Sequence, residues 1–275
     1  MTTSFAGMTL DRPRVMGIVN VTPDSFSDGG EAFDQEAAIQ RGSLFAKQGA
    51  DIIDVGGEST RPGSKPVAPD EQIKRIVPVI DALAGRGLCV SADTRSARVM
   101  AAAIEAGAAI INDVSALTSD SEAVNVVAGS QASVVLMHMQ GEPHSMQDSP
   151  HYDNVTQDVF EYLSRRIDVL VARGIGKERI AIDPGIGFGK TLEHNLALLN
   201  KTHLFCELGC AVLIGVSRKS FLAKLSNDVQ PQERLPGSLA AGLAALSKGA
   251  GILRVHDVAE TVQAVTVWQS IENAR

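Results

Sequence analysis

Short aliphatic runs recur along the chain, and most are followed by a stretch of helical length. Eight runs lie near residues 14–20, 51–55, 88–92, 109–112, 133–137, 179–183, 212–216 and 251–255. They are apolar rather than strictly alternating, the pattern of strands buried on both faces of a parallel sheet. Amphipathic segments at 34–48, 70–84, 95–106, 153–173, 234–248 and 257–272 read as helices between them. Asp34, Thr94 and Asp257 stand where N-caps are expected. Three junctions repeat one form: Gly49-Ala50-Asp51-Ile52-Ile53-Asp54, Gly107-Ala108-Ala109-Ile110-Ile111-Asn112 and Gly249-Ala250-Gly251-Ile252-Leu253-Arg254. Each predicts a helix ending at a left-handed glycine and then a buried strand with a polar tip.

Eight strand–helix units in this length predict an α/β fold, a single-domain (β/α)8 TIM barrel. The competing architecture is a doubly wound open sheet. Polar residues favour the barrel. The runs end at Asn20, Asp54, Asp93, Asn112, His138, Asp183, Ser217 and Arg254. In a barrel these tips converge on one mouth; in an open sheet they string out along an edge. No helical segment precedes the first run, and no linker or low-complexity stretch interrupts the chain. One domain over 1–275 is expected.

Composition narrows the function. The 275 residues are 44% hydrophobic and only 4% aromatic, with a formal net charge of −7. That balance argues against a general nucleic-acid binder, which needs a basic face, though a local basic pocket remains compatible. The three cysteines, Cys89, Cys206 and Cys210, form no disulfide or zinc framework, and MTTSFAGMTLDRPR lacks the apolar core and cleavage site of a signal peptide. No apolar stretch is long enough to span a bilayer. A cytoplasmic protein is expected.

The stretch DPGIGFGKT (183–191) ends like a phosphate-cradling P-loop. Pro184 stands where that loop requires glycine, and it removes a backbone donor. The better reading is a strand ending at Asp183, a tight turn beside a ligand, and a helix begun by solvated Lys190 and Thr191. Asp93, Asn112, Asp183 and Lys219 together suit a flat heterocycle of the guanine or pterin type. A carboxylate accepts two adjacent N–H donors, Asn112 can donate and accept, and Lys219 can donate to ring acceptors. Arg254 and His256 alternate onto one side of an extended chain and, with Asn20, suit a diphosphate. They and SRKS (217–220) fall where barrels place phosphate sites. His138 alone reads as a structural histidine. Two long loops, NVTPDSFSDGG (20–30) and GGESTRPGSKP (56–66), follow the first two strands and read as lids. The second carries the cluster Glu58, Ser59, Thr60 and Arg61.

These segments, with the Asp-Thr-Arg after the third strand, INDVSAL, HMQGEPHSMQ, GVSRKSF and LRVHDV, occur in an order that resembles the dihydropteroate synthase family from about Arg14 onward. The resemblance implies condensation of p-aminobenzoate with 6-hydroxymethyl-7,8-dihydropterin diphosphate to 7,8-dihydropteroate and pyrophosphate. It implies that Thr60, Asp93, Asn112, Asp183 and Lys219 contact the pterin, and that Arg254 and His256 grip the diphosphate. Asn20 would contact Mg2+. Arg61, Pro62, Phe188, Ser217 and Ser220 would wall the p-aminobenzoate slot, a sulfonamide target. It further implies a homodimer with small-molecule substrates as its other partners. Asp93, Lys219, Arg254 and His256 are the expected catalytic set, in a dissociative displacement without a covalent enzyme intermediate. Two rivals stand beside this: a pterin-binding methyltransferase barrel, and a non-catalytic pterin carrier.

Overall fold

A computed structural model of the chain describes residues 4–22, 31–59, 66–142 and 145–274. Two short strands, β1 (Ser4–Phe5) and β2 (Met8–Thr9), pair as an antiparallel hairpin before the first run. The eight runs then form β3 (Arg14–Asn20), β4 (Ile52–Gly56), β5 (Val90–Asp93), β6 (Ile110–Asp113), β7 (Ser133–Met137), β8 (Ile180–Asp183), β9 (Ala211–Ile214) and β10 (Ile252–Val255). All eight pair in parallel with their sequence neighbours, and β10 closes on β3. The fold is the expected (β/α)8 TIM barrel.

The six expected helices form α1 (Glu31–Lys47), α2 (Pro69–Ala84), α3 (Ala97–Glu105), α5 (Val155–Val171), α9 (Leu235–Leu246) and α10 (Val258–Glu272). Four further helices among the described residues, α4 (Ala123–Ala128), α6 (Leu192–Asn200), α7 (Thr202–Cys206) and α8 (Ser220–Leu225), none longer than nine residues, complete the outer layer. Gly49, Gly107 and Gly249 take φ of +99°, +99° and +96°, the left-handed turn that their repeated junction predicts.

The expected N-caps fare less well. Asp34 lies inside α1, which begins at Glu31. Ser96, not Thr94, is the N-cap of α3; Thr94 Oγ1 instead accepts from Ser96 N (3.3 Å) and donates to Gln72 Oε1 (3.1 Å). Asp257 does hold the N-cap position of α10, but its side chain makes no cap hydrogen bond.

Strand periodicity sorts the core. Val15, Val19, Ile53, Val55, Ile111, Val134, Leu136, Ile180, Ile182 and Ile214 pack against the helices. Met16, Ile52, Ile110, Val135, Ala181, Ala211, Leu213 and Ile252 fill the barrel lumen together with Phe5 from the hairpin. The hairpin therefore plugs the end where a preceding helix is missing. Side chains two residues further along have the same parity as the lumen set. That row is Ile18, Asp54, Asn112, Met137, Asp183, Gly215 and Arg254, with Asp93 following Ser91 in the same way.

Candidate active site

Register places the polar tips side by side. Asn20 pairs with Gly56, Gly56 with Asp93, and Asp93 with Asn112, one continuous rung across four strands. Gly56 sits within this rung, where a Cβ would be in ordinary contact with its neighbours. A Cβ there would lie 3.6 Å from Asn20 Oδ1 and 3.8 Å from Asp93 Oδ2. On the opposite wall Gly215 lies among the other tips: a Cβ would lie 3.9 Å from both Asp183 Oδ2 and Lys219 Nζ, and 3.8 Å from Arg254 Cβ. Asn20, Asp93, Asn112, Asp183, Lys219 and Arg254 thus share the C-terminal mouth of the barrel, as the sequence reading requires.

Arg254 spans the mouth. Its Nε donates to Asp54 Oδ2 (2.6 Å) and its Nη2 to Asp93 Oδ2 (2.7 Å). The fork expected to await a ligand is thus already held by two carboxylates, while Nη1 makes no hydrogen bond among the described residues. Asp54 Oδ2 also accepts from Asn112 Nδ2 (3.1 Å), whereas the buried Asp54 Oδ1 has no partner among the described residues. Asp54 is therefore the hub that orients both Arg254 and Asn112. Its strand-tip position was visible in the sequence, but its role depends on a partner 200 residues away.

The electrostatics follow from crowding in a buried place. Burial pushes the Asp93 carboxyl up to about 7, with Arg254 opposing and Asp54, Asp113 and Glu58 adding to the rise. Burial also raises Asp183, against the pull of Lys219. Burial lowers the Lys219 ammonium to about 8, with Asp183 opposing and Arg254 adding to the fall. Asp183 Oδ1 accepts from Gly185 N (2.7 Å), which fixes the carboxylate at the start of the turn.

That turn is tied down by surrounding elements. Lys219 donates to Ile186 O and lies 4.6 Å over the Phe188 ring. Gln147 Nε2 donates to Gly187 O (2.6 Å), and Tyr152 Oη to Gly189 O (2.8 Å). Lys190 corrects the sequence reading. It is buried rather than solvated, and its Nζ reaches His138 Nδ1 (3.0 Å), Phe188 O (3.0 Å) and His138 O (3.4 Å). Thr191, expected to begin the helix in solvent, is the half-buried N-cap of α6, its Oγ1 accepting from His194 N. His138 is structural, as read. Burial, then the Lys190 charge, lowers it to about 3, so it stays neutral as a partner for the ammonium.

Ser217 is buried, and its Oγ accepts from His256 N (3.1 Å) and lies 3.0 Å from His256 Nδ1. Ser220 is exposed at the first turn of α8. Thr60, Arg61 and Pro62 lie outside the described residues, as do 23–30 of the first long loop and 60–65 of the second. The roots of the second loop are defined. Gln72 Nε2 donates to Glu58 Oε2 (2.8 Å) on one side and Val67 O (2.9 Å) on the other. Arg95 bridges Glu58 and Glu142. Sequence reasoning missed this brace because Gln72 sits in an ordinary amphipathic helix pattern.

The metal expectation can be weighed on the donor set. Among the described residues there is no group of three or more His, Cys, Asp or Glu side chains that could hold a metal. Mg2+ seldom requires one, because it keeps waters and shares substrate phosphates with one or two protein oxygens. The Asn20 amide oxygen on the rung beside Asp93 fits that role.

Comparison with known proteins agrees with this geometry. Residues 16–256 match the family described as pterin binding enzyme. The chain is 45% identical over 269 residues to the dihydropteroate synthase of Escherichia coli K12, covering 98% of this chain and 95% of that one. It is also similar to two structures of the Xanthomonas albilineans dihydropteroate synthase, each covering 98% of this chain and 96% of the other. One contains 4-aminobenzoic acid, at 49% identity and a TM-score of 0.91. The other contains 7,8-dihydropteroate, at 44% identity and a TM-score of 0.87.

Proposed function

The chain belongs to the pterin-binding enzymes and, among them, to the dihydropteroate synthases; on that footing we propose how its rim carries out the condensation of the pterin diphosphate with p-aminobenzoate. The observation that carries the proposal is the meeting of Asp54, Asp93, Asn112, Asp183, Lys219 and Arg254 at one mouth.

Asp183 accepts the paired N–H donors of the pterin edge side by side on its two carboxylate oxygens, with Gly185 N holding Oδ1 in place. Asn112 donates one amide hydrogen to Asp54, so it offers the ring Oδ1 as an acceptor and its remaining N–H as a donor. Lys219 donates to the ring from the other wall. Arg254, held by Asp54 and Asp93, turns its remaining donors to the diphosphate with no reorganisation at the moment of reaction. His256 joins it from the segment that follows β10. Asn20 would hold Mg2+, which would supply charge neutralisation to the leaving diphosphate.

As the bond to the leaving group lengthens, the pterin methylene becomes electron-poor. Asp93 opposes that charge from the rung below. The arylamine attacks with its own lone pair, so neither a strong base nor a covalent enzyme intermediate is required. Phe188, Ser217 and Ser220 wall its slot, and the family resemblance assigns Arg61 and Pro62 to the same slot and Thr60 to the pterin. Water must be kept from the reacting carbon, because it would otherwise capture the cation.

We place a homodimer interface on α9. LPGSLAAGLAAL carries no charge along its twelve residues, although Ser238, Gly242, Ala245 and Leu246 are its only buried members. Nearby Val267 and Ile271 on α10 are exposed. No helix of the described residues is long and apolar enough to cross a membrane, and all three cysteines are free. Both are compatible with the cytoplasm.

The decisive experiment incubates the protein with the pterin diphosphate, Mg2+ and p-aminobenzoate and measures pyrophosphate. Release that depends on p-aminobenzoate supports the synthase. Binding without release favours a carrier, and methyl transfer from a folate favours the methyltransferase rival.

A further inference from the structure

Asp257 stands at the N-cap of α10, where an aspartate ordinarily accepts from the helix's first free amides. It caps nothing. Both of its carboxylate oxygens accept instead from Arg218, Oδ2 from Nε at 3.0 Å and Oδ1 from Nη2. Departures from a local rule of this kind cluster at sites with another task.

Arg218 is itself unusual. It lies between Ser217 and Lys219 with φ of +59°, a conformation a long side chain seldom takes. Every polar group it carries is tied to a different place. Its amide donates to Ser238 Oγ (2.9 Å), its carbonyl accepts from Arg234 Nη1 (2.9 Å), and its guanidinium holds Asp257. Ser238 Oγ in turn donates to Arg234 O (2.8 Å). The start of α9 thus fixes the Arg218 backbone, and the start of α10 fixes its side chain.

The flanking residues show what is being fixed. Ser217 faces His256, and Lys219 faces Ile186 O and the Phe188 ring. His256 is the immediate neighbour of Asp257. The bidentate pair therefore joins the loop after β9 to the loop after β10 at the point where both present side chains to the substrates.

We propose that Arg218 and Asp257 are positioning residues: their ion pair locks the two loops in one register, so that Ser217, Lys219 and His256 act as a single rigid unit. This rests on the reading above that those three residues meet the substrates. An ion pair with 35% and 14% side-chain exposure is a modest source of stability. A capping aspartate would serve the helix about as well, so the effect lies in geometry.

Two variants separate position from stability. Arg218→Asn keeps a residue that tolerates positive φ and removes the guanidinium. Asp257→Asn keeps a capping side chain and removes the charge. Each is expected to raise KM for p-aminobenzoate and lower kcat/KM by roughly tenfold, with the thermal midpoint nearly unchanged. The double variant should be no worse than either single, since both break one contact. Arg218→Lys should recover part of the loss. Wild-type-like kinetics in both singles, or losses that merely track a falling thermal midpoint, would overturn the proposal. If wild-type protein itself releases no pyrophosphate, the catalytic reading fails instead. Amide exchange at Lys219 and His256 still decides the clamp: faster exchange in both singles supports it, unchanged exchange sinks it.

Discussion

At its N-terminal end the barrel lumen holds Phe5, Met16, Ile52, Ile110, Val135 and Ile252, an apolar fill sealed by the hairpin. At the other end, one strand rung higher, it holds Asp54, Asp93, Asn112, Asp183 and Arg254. The same strands with the same parity build both. The lower set costs nothing to bury and stabilises the fold by removing apolar surface from water. The upper set is expensive to bury, and one atom, Asp54 Oδ1, is left without a partner among the described residues. One end supplies stability, and the other uses it to keep charges dry and aligned.

The largest expected break in this contrast is Asp183→Ala. Losing two charge-assisted hydrogen bonds of about 1.5–3 kcal/mol each should weaken pterin diphosphate binding by roughly 100-fold or more. Circular dichroism should remain native, because a buried charge has been removed along with its desolvation cost. Calorimetry showing wild-type affinity would refute the assignment. Phe5→Ala should do the reverse. It should cost about 3–5 kcal/mol of stability in denaturant unfolding and leave KM for both substrates unchanged at low temperature.

Arg254→Ala should weaken ligands bearing the diphosphate by roughly 10- to 100-fold, the range of one lost charge-assisted pair. A pterin without the diphosphate should lose much less. Equal loss for both ligands would show that Arg254 serves the ring or the fold.

The smallest effect is also the sharpest. Lys219 titrates near 8 in the folded protein, below its ordinary value of 10.5, and Lys190 near 7. Above about 8 the Lys219 charge is lost, and affinity for the anionic pterin diphosphate should fall. Stability should move the other way. Between these folded values and 10.5 the unfolded chain binds more protons than the native one, so these two lysines raise stability as pH rises. Affinity and thermal midpoint measured from pH 7 to 10 should diverge; a parallel fall would mean that global unfolding sets the affinity.

Much of this was legible in the chain. The run at 14–20 is β3 residue for residue, and the run at 133–137 is β7. The others lie within two residues of their strands. Buried strands between left-handed glycines leave little freedom, and the strand-tip rule recovers most of the mouth. What escaped reading depended on partners rather than on residue type. Thr94 and Asp257 have capping chemistry, yet one serves Gln72 and the other Arg218. Lys190 follows a glycine-rich turn and looks solvated, because nothing local announces that His138 will receive it. The four short helices, such as α4 and α7, lack the length that makes a 3.6-residue period visible.

Seven of the eight barrel strands span only four or five residues, and β5 is just Val90–Asp93. A single residue inserted into β5 ahead of Ala92 would turn Asp93 toward the helices and bring the Ala92 methyl onto the rung between Gly56 and Asn112. Such an insertion would erase the chemistry of that wall without altering one amino acid of it, whereas the same insertion in an outer loop would pass unnoticed.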